Sequence, residues 1–192
     1  AEYLKICPID KNRAGIDEII KFKECLSDYH RFGLDYPKLL KNNKYCHLLK
    51  ESSFLCQVEN NLLLFKKYFK KLTNYQPFHL QIYWAKRLLK GESFSIIAPT
   101  GFGKSTFGII FSLFSVEILK EKKIYYLVPT KILINEIEKR FNNFNKRNKV
   151  KILAIQDRQK FSDDFDILIT TTQFLHKNFE LLPKNFKFIY ID

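Results

Sequence analysis

Apolar residues gather in short runs over 93–98, 123–128, 150–155, 166–170 and 186–192, and each run predicts a buried strand. Between the runs the spacing changes to that of a helix. Residues 104–119 carry Phe107, Ile110, Phe111, Phe114 and Ile118 on one stripe, expected to cover one face of a sheet. Residues 131–144 repeat the scheme, with Thr130 as the expected N-cap. Strands alternating with helices in this way predict βαβ units and parallel pairing, hence an α/β fold with helices flanking a parallel sheet. Ahead of the sheet, residues 78–90 read as a helix that Pro77 helps to start and Gly91 stops, with Ile82, Trp84, Ala85, Leu88 and Leu89 as its apolar positions. Residues 53–72 form another helical candidate, while 28–43 contain Gly, Pro, His and Asn breakers and read as a connector.

Where the first run meets its helix, the chain reads Ala98-Pro99-Thr100-Gly101-Phe102-Gly103-Lys104-Ser105. A strand before and an amphipathic helix after are the context of a phosphate-binding loop. Gly101 and Gly103 permit the tight turn that aims backbone amides and the positive helix end at the β- and γ-phosphates. Lys104 is expected to neutralise phosphate oxygens, Ser105 to take a position on Mg²⁺, and Thr106 to face the α-phosphate. The strict pattern has Gly where Ala98 stands. The last run, Phe188-Ile189-Tyr190-Ile191-Asp192, ends in a carboxylate at the place where a Walker B motif begins, so Asp192 is a second candidate for Mg²⁺.

Two further clusters sit at carboxyl ends of predicted strands, the edge where ligands bind in open parallel sheets. They are Pro129-Thr130-Lys131 and Thr170-Thr171-Thr172-Gln173. Hydroxyls, an ammonium and helix-start amides there suit the phosphates of a nucleic acid held without sequence reading; the alternative is plain helix capping.

Charge favours the first of these. Thirty-three Lys and Arg against 20 Asp and Glu give a formal net charge of +13, which attracts polyanions unless it is only a solvated lysine-rich surface. Aromatics make up 16% of the chain, but 19 Phe against 1 Trp assigns most of them to core packing. No apolar run approaches the roughly 20 residues that span a bilayer, and the first ten residues lack a signal-peptide layout, so a cytoplasmic protein with no membrane partner is expected. In that compartment the 4 cysteines are expected to be thiols or metal ligands rather than disulfides. The lack of any Met is expected of a segment taken from a longer polypeptide.

The stretches Gln81-Ile82-Tyr83-Trp84-Ala85-Lys86-Arg87, Glu92 through Gly101, and Thr171-Thr172-Gln173-Phe174-Leu175 resemble the reverse gyrase family. That family couples a two-lobed helicase-like module to a type IA topoisomerase and introduces positive supercoils into DNA using ATP. The resemblance implies a RecA-like P-loop NTPase domain over 67–192, ending at Walker B, preceded by a helical connector over 31–66 and a degenerate zinc-ribbon-like region over 1–30. It implies ATP and Mg²⁺ as cofactors and a nucleotide site of Gln81, Thr100, Gly101, Phe102, Gly103, Lys104, Ser105 and Thr106. Asp192 joins that site through Mg²⁺. As in DEAD-box helicases, Gln81 would read adenine with an amide that both donates and accepts. Tyr75 or Phe78 would stack on the base, unless they serve the core or a helix staple.

The resemblance further implies DNA as partner, touched by Pro129, Thr130, Lys131, Thr171, Thr172 and Gln173, together with a second RecA-like lobe and a topoisomerase half outside these residues. The acid that activates water follows Asp192 in this class, so little hydrolysis is expected of these residues alone. The family's two Cys-x-x-Cys pairs survive in register as Cys7 with Asp10 and Cys25 with Asp28. Carboxylates can ligate Zn²⁺, but replacing two thiolates predicts a weak site. Cys46, His47 and Cys56 are substitute ligands, although Cys46 and Cys56 also suit small buried apolar positions. Two rival readings are a stand-alone superfamily-two RNA or DNA helicase and a non-hydrolysing nucleotide-binding module that tethers DNA.

Overall fold

A computed structural model describes residues 54–146, 148–156 and 162–192. The chain divides into two compact units, 1–63 and 64–192, and the sheet belongs to the second. Helix α1 (Phe54–Thr73) crosses the division, and α2 (His79–Leu89) and α3 (Lys104–Glu117) come next. Strand β1 (Ile124–Val128), α4 (Lys131–Phe144), β2 (Ile152–Ala154), β3 (Ile167–Thr171), the short helix α5 (Thr172–Asn178), a 3₁₀ turn (Phe179–Leu181) and β4 (Phe188–Ile191) complete the order. All three strand pairs are parallel, in the order β2-β3-β1-β4. The expected α/β architecture of a parallel sheet flanked by helices is therefore present, in the RecA-like arrangement.

Register assigns the sheet two faces, because residues opposite one another in parallel strands point the same way. Ile124, Tyr126, Ile169 and Tyr190 belong to one face, Tyr125, Leu127, Leu168 and Ile189 to the other. The first face is covered by α3 and α4. Phe141 of α4 meets the Tyr126 ring edge-on at 5.2 Å, and Phe111 of α3 lies 5.8 Å from Phe188. At Gly108 helix and sheet come so close that a Cβ would stand 2.4 Å from the Tyr190 ring. The second face is covered by Phe165, Leu175 and Leu182, from α5 and the connections around it.

The fold departs from the sequence expectations in two places. Helix α3 does not bury a single stripe: every residue from Phe107 to Val116 is buried, while Ile118 is exposed. The reason is a third layer. Phe65 of α1 packs on Phe107, Phe111 and Phe114 at 5.4–5.9 Å, and Trp84 of α2 lies 5.4 Å from Phe107. A helix enclosed on both sides must be apolar all round. Residues 93–98, expected as the first strand, belong to no strand. Phe94, Ile96 and Ala98 are half-buried and Ser93, Ser95 and Ile97 exposed, so the segment alternates like a strand. It joins no ladder among the described residues. The remaining hydrophobic patterns became elements with ends moved by a few residues at most, and α4 has the expected bounds.

Candidate nucleotide site

The loop after residue 98 takes its shape from two glycines. Gly101 has φ +87° and Gly103 φ +72°, left-handed values that residues with a Cβ rarely adopt. Gly103 is the N-cap of α3, so the first amides of that helix face the loop. A Cβ at Gly103 would lie 2.8 Å from Nε2 of Gln81, and one at Gly101 would meet nothing within 4 Å. The Lys104 ammonium donates to the carbonyl oxygens of Ala98 at 2.6 Å and Pro99 at 3.1 Å, which places it within the loop. Thr100, Gly101 and Phe102 are exposed, and Ser105 and Thr106 are half-buried.

Ser105 and Asp192, 87 positions apart, meet at this edge: the Ser105 hydroxyl donates to Oδ1 of Asp192 at 2.8 Å. The amide of Asp192 is itself held by the carbonyl of Leu127 at 2.9 Å, extending the β1–β4 ladder by one step. Beneath them lie two residues that sequence reasoning missed. Tyr126 donates to Oδ2 of Asp192 at 2.9 Å, and Tyr190 donates to the carbonyl of Lys104, also at 2.9 Å. Burial first, and then the charge of Asp192, raises both phenols far above the usual tyrosine range, so both remain donors. A third missed residue is Arg140 of α4, whose guanidinium donates to the Thr106 hydroxyl at 3.0 Å. Tyrosines within apolar strands and an arginine late in a helix look like ordinary surface or core choices; only the strand register and helix packing bring them here.

Gln81 is buried at 2% exposure, and its amide bridges two elements. Oε1 accepts the amide of Phe78 at 3.0 Å, half of a capping box, and Nε2 donates to the carbonyl of Gly103 at 3.3 Å. It thus ties the start of α2 to the phosphate loop. Tyr75 and Phe78 are exposed beside it.

The two threonine clusters differ in what their hydroxyls do. Thr130 takes the N-cap position of α4, yet its hydroxyl makes no cap hydrogen bond, and Pro129, Thr130 and Lys131 are exposed. Thr171 is the buried one, and its hydroxyl accepts the amide of Phe174 at 3.1 Å as the cap of α5. Thr170 donates to the carbonyl of Ile155 at 3.0 Å, which leaves Thr172 and Gln173 exposed at this edge. A pocket of about 450 Å³ opens beside Thr172, between Leu127, Leu175, His176 and Phe179, and shares no residue with the phosphate loop. The zinc candidates Cys7, Asp10, Cys25, Asp28, Cys46 and His47 lie outside the described residues, as does the side chain of Cys56.

The model of the DEAD/DEAH box helicase family matches residues 78–192. The chain belongs to that family. Among curated relatives, it is 35% identical over 168 residues to reverse gyrase 1 of Aquifex aeolicus, covering 81% of this chain and 14% of the relative. It is 38% identical over 163 residues to a reverse gyrase of Thermococcus kodakarensis, covering 75% and 9%. A reverse gyrase of Methanocaldococcus jannaschii matches 99% of the chain at 33% identity, over 12% of its own length. The chain therefore spans less than a sixth of each of these relatives. A DEAD/DEAH box helicase uses ATP with Mg²⁺, and the residues present fit both. Backbone amides, the Lys104 ammonium and the open space at Gly101 suit phosphates, and the hydroxyl and carboxylate of Ser105 and Asp192 are hard oxygen ligands for Mg²⁺. Among the described residues no helix is long and apolar enough to cross a membrane, and no group of three or more His, Cys, Asp or Glu is placed to hold a metal.

Proposed function

We propose that this chain is the ATP-binding, helicase-like part of a reverse gyrase, in which nucleotide binding is coupled to nucleic acid held at the same sheet edge. The observation that carries the nucleotide half is the 2.8 Å contact between Ser105 and Asp192, which joins the phosphate loop to the last strand in the space where a cation would bridge phosphates. Bound Mg²⁺ would supply charge neutralisation between the β- and γ-phosphates. Lys104 would exchange the Ala98 and Pro99 carbonyls for phosphate oxygens, and the amides at the start of α3 would fix the triphosphate. Gln81 would read adenine by exchanging its bonds to Phe78 and Gly103 for the base.

The exposed Pro129, Thr130, Lys131, Thr172 and Gln173 would hold DNA phosphates, with Thr171 acting indirectly by capping α5. Support for DNA as the partner comes from the reverse gyrase relatives and from the +13 charge. The second RecA-like lobe and a topoisomerase half complete the proposal as partners within the parent polypeptide, as does a weak Zn²⁺ site at Cys7, Asp10, Cys25 and Asp28. The cytoplasm is the proposed location.

Lys104→Ala tests the nucleotide site. Affinity for ATP with Mg²⁺, measured by calorimetry, should fall by about 100-fold or more, the order expected when a charge-assisted phosphate contact is lost. Affinity retained within twofold would overturn the proposal. DNA binding measured in parallel should weaken steeply with salt and hardly vary with sequence.

A further inference from the structure

Tyr126 and Tyr190 are partners in register on neighbouring strands, and their rings stack at 5.0 Å with 26° between planes. Both are at least nine-tenths buried, yet each hydroxyl ends at the nucleotide edge on a different target. Tyr190 reaches the Lys104 carbonyl, and Tyr126 reaches Oδ2 of Asp192, with the Ser105 carbonyl 3.4 Å away. Asp192 follows the last residue of β4, which among the described residues pairs with β1. The terminal torsion of an aspartate is broad, so its two oxygens are interchangeable unless a neighbour holds one of them. Here they do different jobs. Oδ2 is engaged by the phenol from below, while Oδ1 faces the Ser105 hydroxyl at 2.8 Å.

We propose that Tyr126 is a positioning residue for the cation site: its phenol pins one oxygen of Asp192, so that the other is presented beside Ser105 and the Mg²⁺ complex of the nucleotide is favoured. The phenol is well suited to this because it is already immobile. Stacking on Tyr190 and edge-on contact with Phe141 at 5.2 Å hold the ring before any ligand arrives, so little further ordering opposes binding. The tether rests on the proposed role of Asp192 and Ser105 as Mg²⁺ ligands.

Tyr126→Phe keeps the ring and removes the donor. Binding of a fluorescent ADP analogue to the chain is followed at increasing Mg²⁺ and, separately, in EDTA. Half-saturating Mg²⁺ should rise about tenfold or more, the scale of a lost hydrogen bond to a charged group, while affinity in EDTA stays within twofold. Tyr190→Phe, which removes the hydroxyl on the Lys104 carbonyl instead, should weaken binding in EDTA and in Mg²⁺ by the same factor and so leave the Mg²⁺ dependence unmoved. In an Asp192→Asn background, Tyr126→Phe should add nothing more. An unchanged midpoint in Tyr126→Phe, or equal shifts in both tyrosine variants, would overturn the tether alone. Failure of the unsubstituted chain to bind the analogue would overturn the nucleotide site with it. Should Tyr126→Phe not fold, the Cζ resonance of Tyr126 in the unsubstituted chain decides: it should move when Mg²⁺ joins the nucleotide complex, and a constant signal refutes the proposal.

Discussion

The two faces of the sheet are built for different ends. On one, Phe141 of α4 packs on Tyr126 and Gly108 of α3 lies against the Tyr190 ring, and the hydroxyls of the two tyrosines emerge at the loop after residue 98. On the other, α5 and its neighbouring connections bury Leu168, Leu175 and Leu182 around Tyr125, whose hydroxyl donates to the Pro183 carbonyl at 2.5 Å. Burial pushes that phenol up to about 12, with Asp163 adding to the effect. The second face thus holds the sheet together without bonding to the loop after residue 98, while packing on the first also positions groups at that loop. A destabilising change should therefore cost nucleotide affinity only when it falls on the first face.

The sharpest way to break that comparison is a large cavity on the second face. Leu168 is fully buried, and Leu168→Ala should lower stability by about 2–5 kcal/mol in denaturant unfolding. At temperatures where it stays folded it should bind nucleotide normally; a loss of affinity beyond twofold would erase the distinction. Gly108→Ala is the counterpart on the first face. Its methyl would overlap the Tyr190 ring, costing about 1–3 kcal/mol, and because that ring is bonded to Lys104 the variant should also lose nucleotide affinity several-fold.

The smallest effect is set by pH, at the outer side of α3. Burial works to raise the Glu117 carboxyl, but hydrogen bonds from Tyr68 at 2.7 Å and Lys149 at 2.9 Å outweigh it and lower the pKa. A group depressed on folding gives stability that is complete above its unfolded pKa, about 4.3, and is lost as pH falls through the folded value. Glu117→Gln should accordingly flatten the acid side of the melting temperature profile below about pH 5 and leave nucleotide binding unchanged. An acid limb as steep as that of the unsubstituted chain would show that the ion cluster contributes nothing.

How much of this was legible in sequence depends on whether the signal was local. The turn at Gly101 and Gly103 and the helix that follows it were, because both are written in consecutive residues. Helix α4 was legible for the same reason, and so was the parallel order of elements. Residues 93–98 show the limit: alternation reports which side chains face inward, not whether another strand lies alongside. The threonines show another. Thr130 and Thr171 precede helices in the same way, and only the folded backbone determines that the second hydroxyl caps and the first does not. Gln81 was singled out as a reader of adenine, whereas its bond to Gly103 spans 22 positions and no periodicity carries that information. Tyr126 and Tyr190 were invisible because their meaning lies in a pairing register between strands 64 positions apart.

The close approach at Gly108 has an evolutionary corollary. Positions 108 and 190 cannot drift separately, since a bulkier residue in the helix demands a slimmer one in the strand, and trimming the ring removes the hydroxyl that steadies Lys104. A homologue that has gained a side chain at the first position should have surrendered the aromatic at the second, and must hold the carbonyl at position 104 by some other means.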